Sequence, residues 1–163
     1  MKRLRSIRRL LRRFAQVDGH RRALAIEAVA WLLLARLALI VVPFPRLAKR
    51  LGTFVAPGEA RRAQARNQVS RLQMDQAAEV GWAVTRAARY VPFRAVCLPQ
   101  AIAARIMLKR RGVASVLHFG AGKIGKLKRG DRRIGAHAWL DAGGVEVTGY
   151  PVGEGFAEVA CFI

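Results

Sequence analysis

The sequence has few cysteines, few acidic residues and few aromatic residues, and each shortage excludes a class of protein. The 163 residues include two cysteines, Cys97 and Cys161, too few for a disulfide-rich secreted domain and without the C-x-x-C pairs of a structural zinc site. Aromatic residues make up 7% of the chain and are not interleaved with the basic ones, so we expect no nucleic-acid partner.

The shortage of acidic residues leaves a strongly basic chain. Thirty Lys and Arg residues stand against ten Asp and Glu, a formal net charge of +20. Hydrophobic residues nevertheless make up 53%, more than a disordered basic chain carries, and the length suits one domain. We therefore expect a compact cytoplasmic protein whose charge attracts an acidic polypeptide or an anionic membrane surface.

The amino-terminal half is predicted to be helical. Residues 2–14 place apolar side chains at helical spacing among seven Lys and Arg, which is typical of a helix that lies on a membrane, binds an acidic peptide or presents a solvated face. Further helices are expected over residues 22–42 and 59–88. The apolar run of the first contains Glu27 and Arg36 and no cleavage site, which favours a buried helix over a signal peptide or a membrane span.

The carboxy-terminal half has a different pattern and predicts an α+β fold. A helix is expected from Cys97 to Arg111, because apolar residues recur at helical spacing and Gly112 follows. Alternation with a period of two then predicts strands, and Gly143-Gly144 predicts a tight hairpin between two of them. The predicted strands are Val113–Phe119, Ala136–Asp141, Val145–Tyr150 and Phe156–Phe162, and residues 120–135 are expected to form a basic loop.

Cys97 and His137 are the candidates for chemistry. A cysteine at a helix amino terminus is favoured as the thiolate by the helix dipole and the free amides, which can also hold an oxyanion. A histidine on a neighbouring strand supplies the base that a thiol nucleophile needs. The alternatives are a small buried hydrophobe at Cys97 and a satisfied polar group at His137. His118 could face the site, but a place in the core or on the surface is favoured, and for Cys161 a packing role is favoured.

Several short segments resemble, when taken together, the lasso peptide biosynthesis B proteins of the transglutaminase-like cysteine peptidase superfamily. They are Cys97-Leu98-Pro99-Gln100, Arg111-Gly112, His118-Phe119-Gly120 and Ala136-His137-Ala138-Trp139. The resemblance implies a helical region, residues 1–90, packed on a transglutaminase/papain-like core, residues 91–163, with a Cys-bearing helix and an antiparallel sheet. It also implies a leader peptidase in which Cys97 is the nucleophile and His137 the general base and then acid.

The third catalytic residue departs from the pattern of that family. The family's Asp lies about thirteen positions after the histidine, where this chain has Tyr150, and a two-residue hairpin at Gly143-Gly144 would place Tyr150 opposite His137. A tyrosine oxygen or a backbone carbonyl could still fix the imidazole, as the uncharged Asn of papain-like sites does.

The resemblance also implies partners. These are the leader of a precursor peptide, a separate leader-recognition protein and a lasso cyclase, and no metal or organic cofactor is expected. The basic amino-terminal helices are expected to permit peripheral contact with the inner membrane. Two other functions remain open: a basic membrane- or nucleic-acid-binding protein with an inert Cys97, and an acyltransferase on the same fold.

Overall fold

A computed structural model of the chain describes residues 18–66, 69–123 and 134–163. The helix predicted over residues 2–14 and most of the predicted basic loop lie outside the described residues. The helices within them are α1 Gly19–Val41, α2 Phe44–Leu51, α3 Pro57–Arg66, α4 Arg71–Ala87 and α5 Cys97–Arg110. The strands are β1 Phe54–Val55, β2 Val116–Lys123, β3 Ile134–Ala142, β4 Val145–Thr148 and β5 Phe156–Phe162. The predicted α+β class is confirmed.

The helix boundaries follow local capping. The carboxylate of Asp18 accepts a hydrogen bond from the His20 amide at 3.0 Å and so begins α1, which ends before Pro43. The single helix predicted over residues 59–88 is wrong, because the structure has α3 and α4 there instead. Ser70 begins α4 with a capping box, in which its hydroxyl accepts from the Gln73 amide and the Gln73 side chain accepts from the Ser70 amide.

The five strands form one antiparallel sheet in the order β1-β5-β2-β3-β4. The predicted hairpin joins β3 to β4, with Gly143 and Gly144 both at positive φ, +57° and +82°. Strand β2 begins three residues later than predicted and extends to Lys123, since it pairs with β3 along its whole length. Strand β5 has its predicted bounds.

The pleat of the sheet gives it two different faces. On one face Leu117, Ala138, Leu140 and Phe162 join the helices in the main hydrophobic core. The residues between them on the strands project from the opposite face, which α3 covers in part where Ala60 packs on Cys161. The side chains on this second face include His118, His137, Trp139 and Asp141.

Helices α1, α4 and α5 share the main core with the sheet. Leu24, Ala28, Leu32 and Ala35 of α1 are buried in it, and Glu27 fixes the helix through an ion pair of 2.6 Å to Arg111 at the end of α5. The rest of α1 is largely exposed, so the expectation of a helix buried all round is wrong. Among the described helices, α1 has the length and apolar composition to cross a membrane.

Candidate active site

Cys97 is the first residue of α5, where the sequence predicted it. Val96 occupies the N-cap position, and none of the described side chains caps this end of the helix. The amide N–H groups of Cys97 and Leu98 therefore have no acceptor within the helix, and Pro99 has no amide hydrogen to donate. The side chain of Gln100 donates to the Ala95 carbonyl at 2.6 Å and holds the preceding chain against the helix. The half-buried thiol of Cys97 lies at an end of the helix that attracts negative charge.

His137 lies on β3 and is held by three neighbours. Its Nε2 is 2.6 Å from the carbonyl oxygen of Gly149. A carbonyl can only accept, so Nε2 carries the proton and Nδ1 of the neutral ring keeps its lone pair. The ring also stacks on Trp139 at a centroid distance of 5.8 Å and contacts Phe156 at 5.6 Å. The imidazole is therefore fixed in one tautomer with Nδ1 available as a base.

Gly149 can accept this hydrogen bond because its backbone lies directly against β3. A Cβ at this position would come within 2.5 Å of the Ala138 carbonyl oxygen and 2.8 Å of the Trp139 Cα, and the backbone has a φ of +86°. Any other residue would push the chain away from β3 and with it the carbonyl that holds His137.

His137 does not pair with Tyr150 as the hairpin had predicted, because the pairing of β3 with β4 is irregular. Asp141 pairs with Glu146, but the next pair joins Leu140 to Thr148, which leaves an extra residue in β4. The register shifts by one residue and the strand pairing ends at Thr148, so Tyr150 is not opposite His137.

The hydroxyl of Tyr150 donates to the Asp141 carboxylate instead. Burial raises the pKa of Tyr150, and the neighbouring Asp141 raises it further. The phenol therefore stays protonated and acts as a donor, and it cannot take a proton at neutral pH.

The three predicted site residues are not joined to one another by hydrogen bonds within the described part of the chain. Cys97 packs against the core on the helix side of the sheet, whereas His137 projects from the opposite face of β3. Strand β4 pairs with residues 140–142 of β3, and Gly149, just beyond its end, lies against Ala138 and Trp139.

A second cluster of polar residues surrounds His118 on the same face of the sheet. Its Nδ1 contacts Glu158, and its Nε2 lies 3.3 Å from Asp141, out of line for a hydrogen bond but close enough for an ion pair. Burial lowers the pKa of His118, but the two carboxylates outweigh burial and raise it. The thiol of Cys161 donates to Glu158 at 2.9 Å, and Arg61 lies 3.8 Å from the same carboxylate.

The potential ligand atoms of His118, Glu158 and Cys161 lie within 4.8 Å of one another, close enough to hold a metal ion. Without a metal ion, the Glu158 carboxylate already accepts hydrogen bonds from both His118 and Cys161. Burial, together with the neighbouring Glu158 carboxylate, raises the pKa of Cys161 to about 12, so its thiol stays protonated. Cys161 is fully buried, which fits the packing role predicted for it and excludes it as a nucleophile.

Trp139 connects the two histidines and was not singled out from the sequence. The Trp139 ring lies parallel to the His118 ring, with an interplanar angle of 2° and centroids 5.4 Å apart. It also stacks on the ring of His137. The sequence contains a signal for this arrangement, because His137 and Trp139 are two residues apart on a strand and therefore lie on the same face. The contact with Gly149 has no such signal, since it depends on the extra residue in β4.

Comparison with known proteins gives one family. Residues 38–161 match the family model described as the transglutaminase-like superfamily, which covers both the helical layer from the end of α1 onward and the sheet. No curated protein and no solved structure matches the chain significantly.

Proposed function

The chain belongs to the transglutaminase-like superfamily, and we propose that it is a cysteine peptidase that removes the leader from a ribosomally made lasso precursor peptide. The superfamily includes cysteine peptidases and acyltransferases. The observation that carries the proposal is the combination of an uncapped helix amino terminus at Cys97 with an imidazole at His137 whose Nδ1 is free to act as a base.

The nucleophile is the Cys97 thiolate. It attacks the carbonyl carbon at the junction between leader and core, and the carbonyl electron pair moves onto oxygen. The amides of Cys97 and Leu98 stabilise this oxyanion, because they point out of the first turn of α5 and have no helical acceptor. A tetrahedral intermediate forms with one new carbon–sulfur bond.

His137 moves the protons. Its Nδ1 accepts the thiol proton and then delivers it to the departing amine of the core peptide as the carbon–nitrogen bond breaks. The proton on Nε2 stays there throughout and keeps its hydrogen bond to the Gly149 carbonyl, so the ring keeps one orientation. A water molecule, deprotonated by Nδ1, then attacks the thioester, releases the leader as a carboxylic acid and returns the proton to sulfur.

Proton transfer requires Cys97 and His137 to approach within hydrogen-bonding distance. We place this approach in the substrate complex, since catalytic hydrogen bonds often tighten only when substrate binds. The proposed partners follow from the reaction: a precursor peptide, a separate leader-recognition protein that delivers it, and a lasso cyclase that takes the released core. A cytoplasmic location is part of the same proposal.

Alkylation of the protein without substrate tests the nucleophile first. Iodoacetamide should modify Cys97 and leave the buried Cys161 unmodified in the folded protein. With the leader peptide added, the His137→Ala variant should also change the pH dependence of the alkylation, because the base that approaches the thiol in the proposed substrate complex is removed. With the leader bound, a pH profile identical to that of the unsubstituted protein would contradict the pair.

Processing of a precursor tests the reaction. The unsubstituted protein, with precursor and leader-recognition protein, should yield two fragments whose masses sum to the precursor plus one water. Cys97→Ala should abolish the cleavage, and Cys161→Ala is the matched control that should retain it. Cleavage of the precursor by the Cys97→Ala variant would contradict the proposal that Cys97 is the nucleophile of a peptidase.

The same assay separates the acyltransferase alternative. If an amine replaces water at the thioester, the acyl fragment gains the mass of the added amine less one water relative to the hydrolysis product. We expect hydrolysis to dominate even when a primary amine is supplied. Transfer as the main outcome would place the chain among the acyltransferases.

A further inference from the structure

Helix α1 presents an apolar face that no other described part of the chain covers. Its opposite face is buried against α4 and α5, as the burial of Leu24, Ala28 and Leu32 shows. The exposed residues recur at alternating spacings of three and four, so they stay on one face for about five turns and about 26 Å at 1.5 Å per residue. They are Ala23, Ile26, Ala30, Leu33, Leu37 and Ile40.

The exposure of this face is large. Ile26 is 61% exposed, Leu37 is 56% and Ile40 is 67%. Contiguous apolar surface of this kind on a soluble domain marks an interaction site, because isolated apolar residues are common but rows of them are not. We call these six residues the α1 face.

The surroundings of the α1 face are basic. From Asp18 to Leu51 the chain has six Lys and Arg against two acidic residues, and one of the two acids, Glu27, is already paired with Arg111. Arg36 is exposed on α1 itself, and Arg46 and Lys49 are exposed on α2 beside its end. Their long side chains can lie along an apolar surface and keep the charge in the polar layer above it.

A groove continues from the carboxy-terminal end of the face. It has a volume of roughly 960 Å³ and is lined on one side by Leu34, Leu37 and Val41 of α1. Arg50 and Lys109 also border it. An apolar groove bordered by exposed cations suits an acyl chain whose phosphate remains near the surface.

We propose that the α1 face docks this protein on the surface of a bilayer rich in anionic phospholipid. The helix lies in the plane of the interface, with its apolar face among the acyl chains and its basic neighbours among the phosphates. Crossing the membrane would require α1 to leave the core, since its other face contributes four buried residues. The proposal is independent of the activity assigned to Cys97.

Charge decides between a lipid surface and a second copy of the chain. The spacing of the α1 face would also suit a partner helix. However, two copies would each bring a net charge of +20 to the contact and repel one another, whereas anionic lipid neutralises that charge.

Vesicle flotation of the full-length protein tests the proposal. At 0.15 M salt we expect at least tenfold stronger binding to equimolar phosphatidylglycerol–phosphatidylcholine vesicles than to phosphatidylcholine alone. The double variant Leu33→Glu, Leu37→Glu should bind the anionic vesicles at least tenfold more weakly. The matched control is Leu72→Glu, which changes a residue 68% exposed on α4 and should bind as the unsubstituted protein does. Equal binding by the double variant would overturn the proposal.

A local probe distinguishes insertion of the α1 face from attraction by charge elsewhere. In a Cys97→Ala background, Leu37→Cys carrying a bimane dye should shift its emission to the blue when anionic vesicles are added. The same dye on Leu72→Cys should not shift. An unshifted dye at position 37 would rule the α1 face out, whatever the flotation result. A dimer seen by light scattering that the double variant abolishes, without vesicle binding, would assign the face to a second copy instead.

Discussion

At the scale of single residues, the candidate base is oriented by an uncharged oxygen although carboxylates lie nearby. The Gly149 carbonyl holds His137, while Asp141 receives the hydroxyl of Tyr150 and faces His118. A carbonyl fixes the tautomer as well as a carboxylate does, but it adds less stabilisation to the imidazolium formed during the reaction. Tyr150 directly follows Gly149, so its hydrogen bond to Asp141 helps to hold the chain segment whose carbonyl orients His137.

Replacing Tyr150 tests this positioning role. In the proposed leader-peptidase reaction, Tyr150→Phe should lower turnover by about fivefold, the equivalent of one hydrogen bond worth roughly 1 kcal/mol, and leave the pH profile unchanged. His137→Ala should abolish turnover. Tyr90→Phe is the matched control, since that ring is exposed and lies beneath the guanidinium of Arg86, and it should have no effect. Equal losses in Tyr150→Phe and His137→Ala would make the tyrosine a full member of the catalytic machinery.

At the scale of the elements, the sequence predicted those whose ends carry a local signal. Helix α5 was predicted to end just before Gly112 and the hairpin to turn at Gly143-Gly144, because a cluster of basic residues before a glycine and a pair of glycines mark these boundaries locally. The division of residues 59–88 also had a local signal, Ser70 with Gln73 three residues later, which the periodicity of the apolar residues masked. The partner of His137 had none, since a shift in strand register is decided by packing across the sheet.

The capping box of α4 provides a measurement at this scale. Ser70→Ala removes the acceptor for the Gln73 amide and should lower the free energy of unfolding by about 1 kcal/mol, which corresponds to about 2–4 °C in Tm. Ser115→Ala is the control, because the hydrogen bond at Ser115 uses its carbonyl and not its hydroxyl. Thermal unfolding followed by circular dichroism measures both. A Ser70→Ala variant as stable as the control would mean that α4 begins without help from its cap.

At the scale of the whole molecule, two partly buried charged interactions join separate helices and separate strands, and they respond to pH in opposite directions. Glu27 ties α1 to the end of α5, and its hydrogen bond and ion pair with Arg111 lower its pKa below 4.5 despite its burial. His118 ties β2 to β3 and β5, and its pKa is raised above 6.5 by Asp141 and Glu158 against the effect of its own burial. Three of the ten acidic residues, Glu27, Asp141 and Glu158, are thus engaged where separate helices or strands meet.

The pH dependence of the free energy of unfolding should show the contributions of both Glu27 and His118. Glu27 stabilises the fold fully above its unfolded value of 4.5, and that contribution is lost as pH falls through its lower folded pKa. His118 contributes fully below its unfolded value of 6.5, and its contribution is lost as pH rises through its higher folded pKa. Urea unfolding from pH 3 to 9 should therefore give a plateau between 4.5 and 6.5 with a fall on each side.

Single variants assign each fall to its residue. His118→Gln should lower the free energy of unfolding by about 3 kcal/mol on the plateau, because it leaves two carboxylates facing each other in a buried place, and the difference from the unsubstituted protein should shrink above pH 6.5. Glu27→Gln should reduce only part of the acid fall, since Glu158 also has a lowered pKa. A His118→Gln variant that keeps the full alkaline fall would show that this fall arises elsewhere, and that the imidazole between Asp141 and Glu158 is neutral in the folded protein.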